Sequence, residues 1–241
     1  MLNEHKIGRY LKYAFGEIVL VMIGILLALQ VNTWNNNREL KKEELKVLKS
    51  LKQEFIVNLK NFDSAYKFHL NRKTAIKTIV NANLRELSLD SLRRLDVTIN
   101  SNYTFDPFQG IYNSVINSGK IELISNDSLK LKIARLQDLI NDYKEEEINT
   151  MKFTQQNLYP FQLNNSKMNF NIAHGIGYIS DEEQAETKQN ILKVVESDTY
   201  ENLLLYIYSY MRSIFEEGPI LKEEMQSIIN ILESEIKKHE N

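Results

Sequence analysis

Ile18 to Leu29 reads IVLVMIGILLAL without one polar side chain, and Phe15 and Val31 extend the apolar run past Glu17 and Gln30. Tyr13 to Val31 is 19 residues, about 28 Å as a helix and close to the ~30 Å hydrocarbon core of a bilayer. Leu, Ile and Val in the uninterrupted stretch contribute about −3 to −5 kcal/mol to insertion. Glu17 opposes this from about 9 Å off the segment centre, where a carboxylate can reach the headgroups. Tyr10 and Tyr13 on one side and Trp34 on the other are the side chains expected at a membrane interface. A cleaved signal peptide also begins basic and apolar, but Ala28-Leu29-Gln30-Val31-Asn32 lacks the small residues a cleavage site requires. The pattern predicts an uncleaved transmembrane helix over 13–34, behind a short tail, 1–12.

Beyond Asn35-Asn36-Asn37 the pattern becomes periodic. Leu48, Phe55, Phe62 and Ile76 recur at sevens, with Leu45, Leu59, Tyr66 and Val80 on the neighbouring stripe. This predicts a helix from about Arg38 to Asn83. Lys52, His69 and Lys73 interrupt the stripe and favour a bundle helix with one apolar face over a free-standing coiled coil. A short helix is expected around Asp90 to Val97, and another from Asp106-Pro107 to a stop at Gly119. Asn126 and its neighbours offer N-caps for a helix to about Asn157, which Tyr159-Pro160 should close. Phe161 to Ile179, Asn-rich with Gly175 and Gly177, reads as a long loop. Ser180-Asp181-Glu182-Glu183 has capping-box form. Asp198 to Lys238 is apolar at helical spacing, with Gly218-Pro219 expected to kink or split it. The predicted fold is all-α: a transmembrane helix, then an antiparallel bundle over 35–241 with long first and last helices, its C-terminus returning towards the membrane.

Composition narrows the function. Thirty Lys and Arg stand against 32 Asp and Glu, so no basic excess marks a nucleic-acid binder. There are no cysteines, which removes disulfides, thiolate metal sites and cysteine nucleophiles. His5, His69, His174 and His239 are scattered without metal-ligand spacing, and no cofactor fingerprint is present. No catalytic, cofactor-binding or metal-ligating residues are assigned. No second run is long enough for a transporter or channel.

The stretch Arg9-Tyr10-Leu11-Lys12-Tyr13-Ala14-Phe15-Gly16-Glu17-Ile18, continuing through Ile23 to Asn32 and Trp34-Asn35, resembles the opening of a bacterial family of uncharacterised membrane-anchored proteins. Ile111-Tyr112, Ser118-Gly119-Lys120-Ile121-Glu122-Leu123-Ile124, Asn126 and Leu129 are similar to that family's mid-domain pattern. The resemblance implies an anchor, in the inner membrane of Gram-negative bacteria, and a helical region. It implies no activity.

Within the span, Glu17, Gly16, Gly24 and Ala28 are the candidates for association: an acid inside an apolar helix, and small residues that let two backbones approach. Lys6, Arg9 and Lys12 before the span nearly balance Arg38, Lys41, Lys42 and Lys46 after it, and the short basic tail favours N-in, C-out. Asp63-Ser64-Ala65, Asp90-Ser91-Leu92 and Asp127-Ser128-Leu129 resemble an O-glycosylation acceptor of exported proteins, in line with that orientation, although Asp and Ser also start helices. Glu145-Glu146-Glu147 and Glu216-Glu217 are expected on solvated faces, because adjacent helical residues point apart. Tyr206 and Tyr210 share a face that reads as core packing.

The leading reading is a non-enzymatic interaction, scaffold or accessory sensing module at the membrane. It would work through a lipid bilayer and a protein partner or second copy, the tail being too short for an output domain. The alternative is a tethered, hydrolase-like enzyme using the 161–179 loop around His174.

Overall fold

The computed structural model describes residues 4–166 and 180–240, with side chains from Ala14 onward. Among the described residues there is no strand; α1 (Glu4–Asn81), α2 (Leu89–Asn100), α3 (Gly110–Asn117), α4 (Asp127–Phe153), α5 (Tyr159–Asn165), α6 (Asp181–Val195) and α7 (Asp198–Glu240) follow in order. The expected all-α class and long first and last helices are present.

The buried residues of the three long helices explain their packing. On α1, positions 44, 48, 51, 55, 58, 62, 65, 69, 72, 76 and 79 are all buried, stepping by four and three. Leu129, Ile133, Leu136, Ile140, Tyr143, Glu147, Thr150 and Thr154 do the same on α4 and its continuation, as do Tyr200, Leu204, Ile207, Met211, Ile214, Gly218, Leu221 and Met225 on α7. A 3.5-residue repeat keeps one seam facing its neighbours over many turns, the requirement for side chains to interlock between nearly parallel helices. His69 does not interrupt this stripe as its polarity suggests; it occupies a seam position. Lys52 and Lys73 flank the seam, Lys73 lying over the Phe215 ring at 4.1 Å.

Pairings fix the directions. Lys49–Glu240, Lys52–Glu233 and Asp63–Lys222 run α7 antiparallel to α1. Glu44–Ser125, His69–Glu147 and Arg72–Thr154 run α4 parallel to it. Between them the chain descends through α2, an extended stretch over 101–109, α3 and a short 3₁₀ turn (Lys120–Leu123). The bundle is therefore up-down-up-down, with a broken second column. Phe105 plugs that break, meeting Phe62 edge-on at 5.3 Å and Tyr143 at 6.5 Å.

Several boundaries depart from expectation. Asn35-Asn36-Asn37 does not interrupt α1, which continues from the apolar run into the bundle without a break. Pro107 does not open α3: residues 101–109 take no regular structure, and α3 begins at Gly110 and ends just before Gly119, whose φ is +70°. Tyr159-Pro160 does not close α4. A π-helical turn, Thr154–Leu158, carries the chain into α5, with Tyr159 N–H bonded to Thr154 O five residues back. The wider turn accommodates a proline that cannot donate. Phe161–Asn165 are therefore helical rather than loop, while 167–179, with His174, Gly175 and Gly177, lie outside the described residues. The Ser180 capping box forms with both of its hydrogen bonds. Two acceptor-like triplets, at Asp90 and Asp127, sit in the first turns of α2 and α4, as helix starts require.

Gly218-Pro219 does not split or end α7: Asp198–Glu240 is one helix with Pro219 inside. Pro219 is exposed, and Gly218 is buried against Tyr66 of α1. A Cβ there would stand 2.5 Å from Tyr66 Cε2 and 3.3 Å from Tyr143 Cε2. Gly→Ala inside a helix ordinarily stabilises by about 0.8–1 kcal/mol. Here Gly218→Ala is expected to lower stability by about 1–3 kcal/mol through overpacking, measured by thermal or denaturant unfolding of the full chain in detergent; a raised midpoint would contradict the close approach.

Candidate functional site

Buried polar groups come to the seam of α1 at the levels where the second column leaves helix. An extended stretch inside a bundle has backbone groups with no intrahelical partner, and leaving one unsatisfied costs about 1–3 kcal/mol. Asn58 meets both sides of Phe108, its Oδ1 accepting from Phe108 N–H at 2.8 Å and its Nδ2 donating to Phe108 O at 2.7 Å. Glu54 accepts from Ile111 and Tyr112 N–H at 2.7 and 2.9 Å, capping α3 from another helix. Glu147 accepts from Phe105 N–H at 2.8 Å and pairs with His69 Nε2 at 2.7 Å, both side chains almost wholly buried. With His69 Nδ1 buried and unpartnered, the tautomer that satisfies this level carries its hydrogen on Nε2 and donates to Glu147. Glu147 is thus not on the solvated face expected for its acidic run.

One turn further along, Arg72 is 2% exposed. Its Nη2 donates to Thr154 Oγ1 at 2.9 Å at the start of the π turn, and Thr154 Oγ1 donates on to Thr150 O. Burial pulls the Arg72 guanidinium down to about 10, Tyr159 and Tyr200 pulling the other way. It therefore stays charged at neutral pH. Its Nε finds no partner. Burial, then Glu146 and Asp142 across the α4–α7 groove, hold the Glu217 carboxyl above the usual range. Tyr206 and Tyr210 are exposed and lie against Phe153 at 5.8 and 5.0 Å rather than in the core.

A third arrangement lies where α1 enters the bundle. Glu44, buried, accepts from Ser125 N–H at 2.6 Å and from Ser125 Oγ, and pairs with His239 Nε2 at 3.2 Å. Asn126, the N-cap of α4, donates to Glu235 at 2.8 Å, and Lys238 pairs with that same carboxylate. One buried carboxylate and one asparagine thereby join α1, the start of α4 and the end of α7. The C-terminal helix does return to the end of the bundle nearest the apolar run.

The apolar run itself is exposed on all sides, and α1 is the one described helix long and apolar enough to cross a membrane. Trp34 is exposed, with Arg38 over its ring at 6.0 Å; the side chains of Tyr10 and Tyr13 lie outside the described residues. Gly16 and Gly24 have open space where a side chain would stand. At about 100° per residue, Glu17, Gly24 and Ala28 fall roughly 160–200° around α1 from Glu44, on the side away from its own bundle, whereas Gly16 falls some 80° from Gly24. Glu17, Gly24 and Ala28 thus share one face of α1, with Gly16 beside it. Among the described residues no group of three or more His, Asp or Glu is placed to hold a metal ion.

Fold and site together define an all-helical bundle carried on one apolar helix and held by buried hydrogen bonds between side chains and backbone. The chain belongs to a family of unknown function, DUF6090, which matches residues 17–173. That span takes in the apolar run, the junction at Glu44 and the His69–Glu147 level. No curated protein and no solved structure matches the chain.

The buried residues were readable in principle. Extending the register of Leu48, Phe55 and Phe62 by alternate threes and fours lands on Glu44, Asn58, His69 and Arg72, polar residues on a core seam. Which backbone groups they meet is not written in that spacing. Removing a partner from a buried charged hydrogen bond costs about 1.5–3 kcal/mol. His69→Leu is expected to destabilise by that amount and Glu147→Leu by more, since it also strands Phe105 N–H. The double variant should cost less than the sum by at least ~1 kcal/mol. Denaturant unfolding of the four proteins measures this, and strict additivity would rule out the pairing.

Proposed function

We propose that this chain is a single-pass membrane scaffold or accessory sensing module that acts by presenting a stiff helical bundle at a fixed distance from the bilayer. The observation that carries the reading is α1: one unbroken helix supplies both the apolar run and a core seam of the bundle. A hinged tether would let the bundle wander, whereas a continuous helix couples the orientation of the span to that of the bundle. In this reading residues 13–34 lie in the inner membrane, 1–12 are cytoplasmic and 35–241 face the periplasm. The short basic tail and the ease with which a long C-terminal domain is translocated support this orientation. The buried polar groups serve the architecture, and the exposed bundle surface and the Glu17–Gly24–Ala28 stripe serve partners.

The absence of cysteine makes a direct test available. Lys6→Cys and Glu201→Cys are expected to label oppositely with a membrane-impermeant maleimide in spheroplasts: Glu201→Cys before lysis, Lys6→Cys only after it. Carbonate washing should leave both variants in the membrane pellet. Release into the supernatant would remove the anchor, and the inverse labelling would reverse the topology. Gly24→Ile, which fills the span face turned away from the bundle, should abolish cross-linked oligomers in membranes while leaving the unfolding midpoint unchanged; undiminished cross-linking would place association elsewhere.

A further inference from the structure

The base of the bundle carries an open cleft of about 690 Å³ between the first turns of α1 beyond Asn35 and the last turn of α7. Its acids are already engaged. Glu44 is taken up by Ser125 and His239, and Glu235 by Asn126 and Lys238. Just outside it, Glu39 is bonded to Lys42 at 2.6 Å, and that contact holds the Glu39 carboxyl below its ordinary value. Two cations lining the cleft, Arg38 and Lys41, have no carboxylate partner among the described residues, and Arg38 instead lies over Trp34. Counting Glu39, which Lys42 meets, four fixed cations (Arg38, Lys41, Lys42, Lys238) stand against three acids there, so the cleft is electropositive by one charge even with His239 neutral.

Its height on α1 indicates what fills it. Trp34 stands three residues past Val31, Arg38 seven and Lys41 ten, or about 5, 10 and 15 Å along the axis. The headgroup layer is roughly 5–8 Å deep beyond the hydrocarbon, and the long Arg and Lys stems reach back several ångströms towards it. Leu27 and Leu20, seven and fourteen residues before Trp34 and so on the same side of α1, are exposed apolar surface for an acyl chain.

We infer that this cleft binds the phosphate headgroup of an anionic glycerophospholipid, with Arg38 and Lys41 as its ligands and Trp34 packed against the glycerol level. The inference rests on the anchored reading above. An anion of that chemistry could also arrive as free phosphate; the lipid is favoured because the span places it there, and the two sources separate experimentally.

Trp34 is the single tryptophan of the chain, so its fluorescence reports on the cleft alone. The full chain would be reconstituted in phosphatidylcholine nanodiscs containing either brominated-acyl phosphatidylglycerol or, at equal mole fraction, brominated-acyl phosphatidylcholine. The anionic lipid is expected to quench at least twofold more strongly. Arg38→Gln/Lys41→Gln should bring the two lipids to parity while quenching by phosphatidylcholine stays as in the unaltered chain. Equal quenching by both lipids in the unaltered chain overturns the site, as does a preference that survives the double substitution. Loss of the preference on adding millimolar inorganic phosphate at constant ionic strength overturns the lipid as occupant in favour of free phosphate. Quenching by neither lipid removes the anchor itself, a result distinct from parity.

Discussion

The break in the second column of the bundle is the constraint around which the rest is arranged. Residues 102–108 run beside α1 and α4 outside any helix, with Phe105 the one buried residue among them, so their inward backbone groups need partners from other segments. Asn58 and Glu147, both on buried seams, supply them to Phe108 and Phe105, while Glu54, buried beside the α1 seam, caps the start of α3. Glu147 in turn needs His69, and Phe105 fills the space the missing helical turn leaves among Phe62 and Tyr143. Asn58, His69 and Glu147 are thus consequences of one interruption rather than separate curiosities. A half-satisfied group at these levels would be worse than an apolar one, which is why they come as a set.

The second organising feature is the continuity of α1. Asparagine is a poor helix former, yet Asn35-Asn36-Asn37 stays helical because regular helix on both sides makes each added hydrogen bond cost only one residue's freedom. The bundle is then gripped at its base by Glu44 and at the α7 terminus by Lys49–Glu240. Rotation or tilt of the apolar segment has no hinge in which to dissipate before it reaches the seam. This mechanical property suits a module whose role is to hold a surface in place, or to relay a change in that surface to a neighbour in the membrane.

Membership of a family without known function places weight on physical argument. The polar levels at Asn58 and Glu147 are accounted for by backbone satisfaction, and the exposed aromatic pair Tyr206–Tyr210 rests on Phe153 at the α4–α7 face. The exposed surface includes the apolar run, with Glu17, Gly24 and Ala28 on one face, and the cationic cleft beyond it. These lie at the end of the molecule that the proposed anchor would set in the bilayer.

Hydrophobic periodicity alone determined the helical class, the apolar segment, the long first and last helices and the capped starts at Asn126 and Ser180, because each of these depends on residues near one another in the chain. Tertiary structure decided everything that required knowing what lies across the seam. Pro219 remains inside α7, and Pro160 follows a π turn, because packing on both sides outweighs a lost local hydrogen bond. His69 and Glu147 read as an interruption and a solvated acid until their opposite partners are in place. Asn102 to Phe108 stay outside helix, with Glu147 holding Phe105 N–H and Asn58 meeting both sides of Phe108 from positions distant in sequence. Local pattern fixes which stretches coil; only long-range contact fixes whether a polar residue on the seam is an error or a ligand for another segment's backbone.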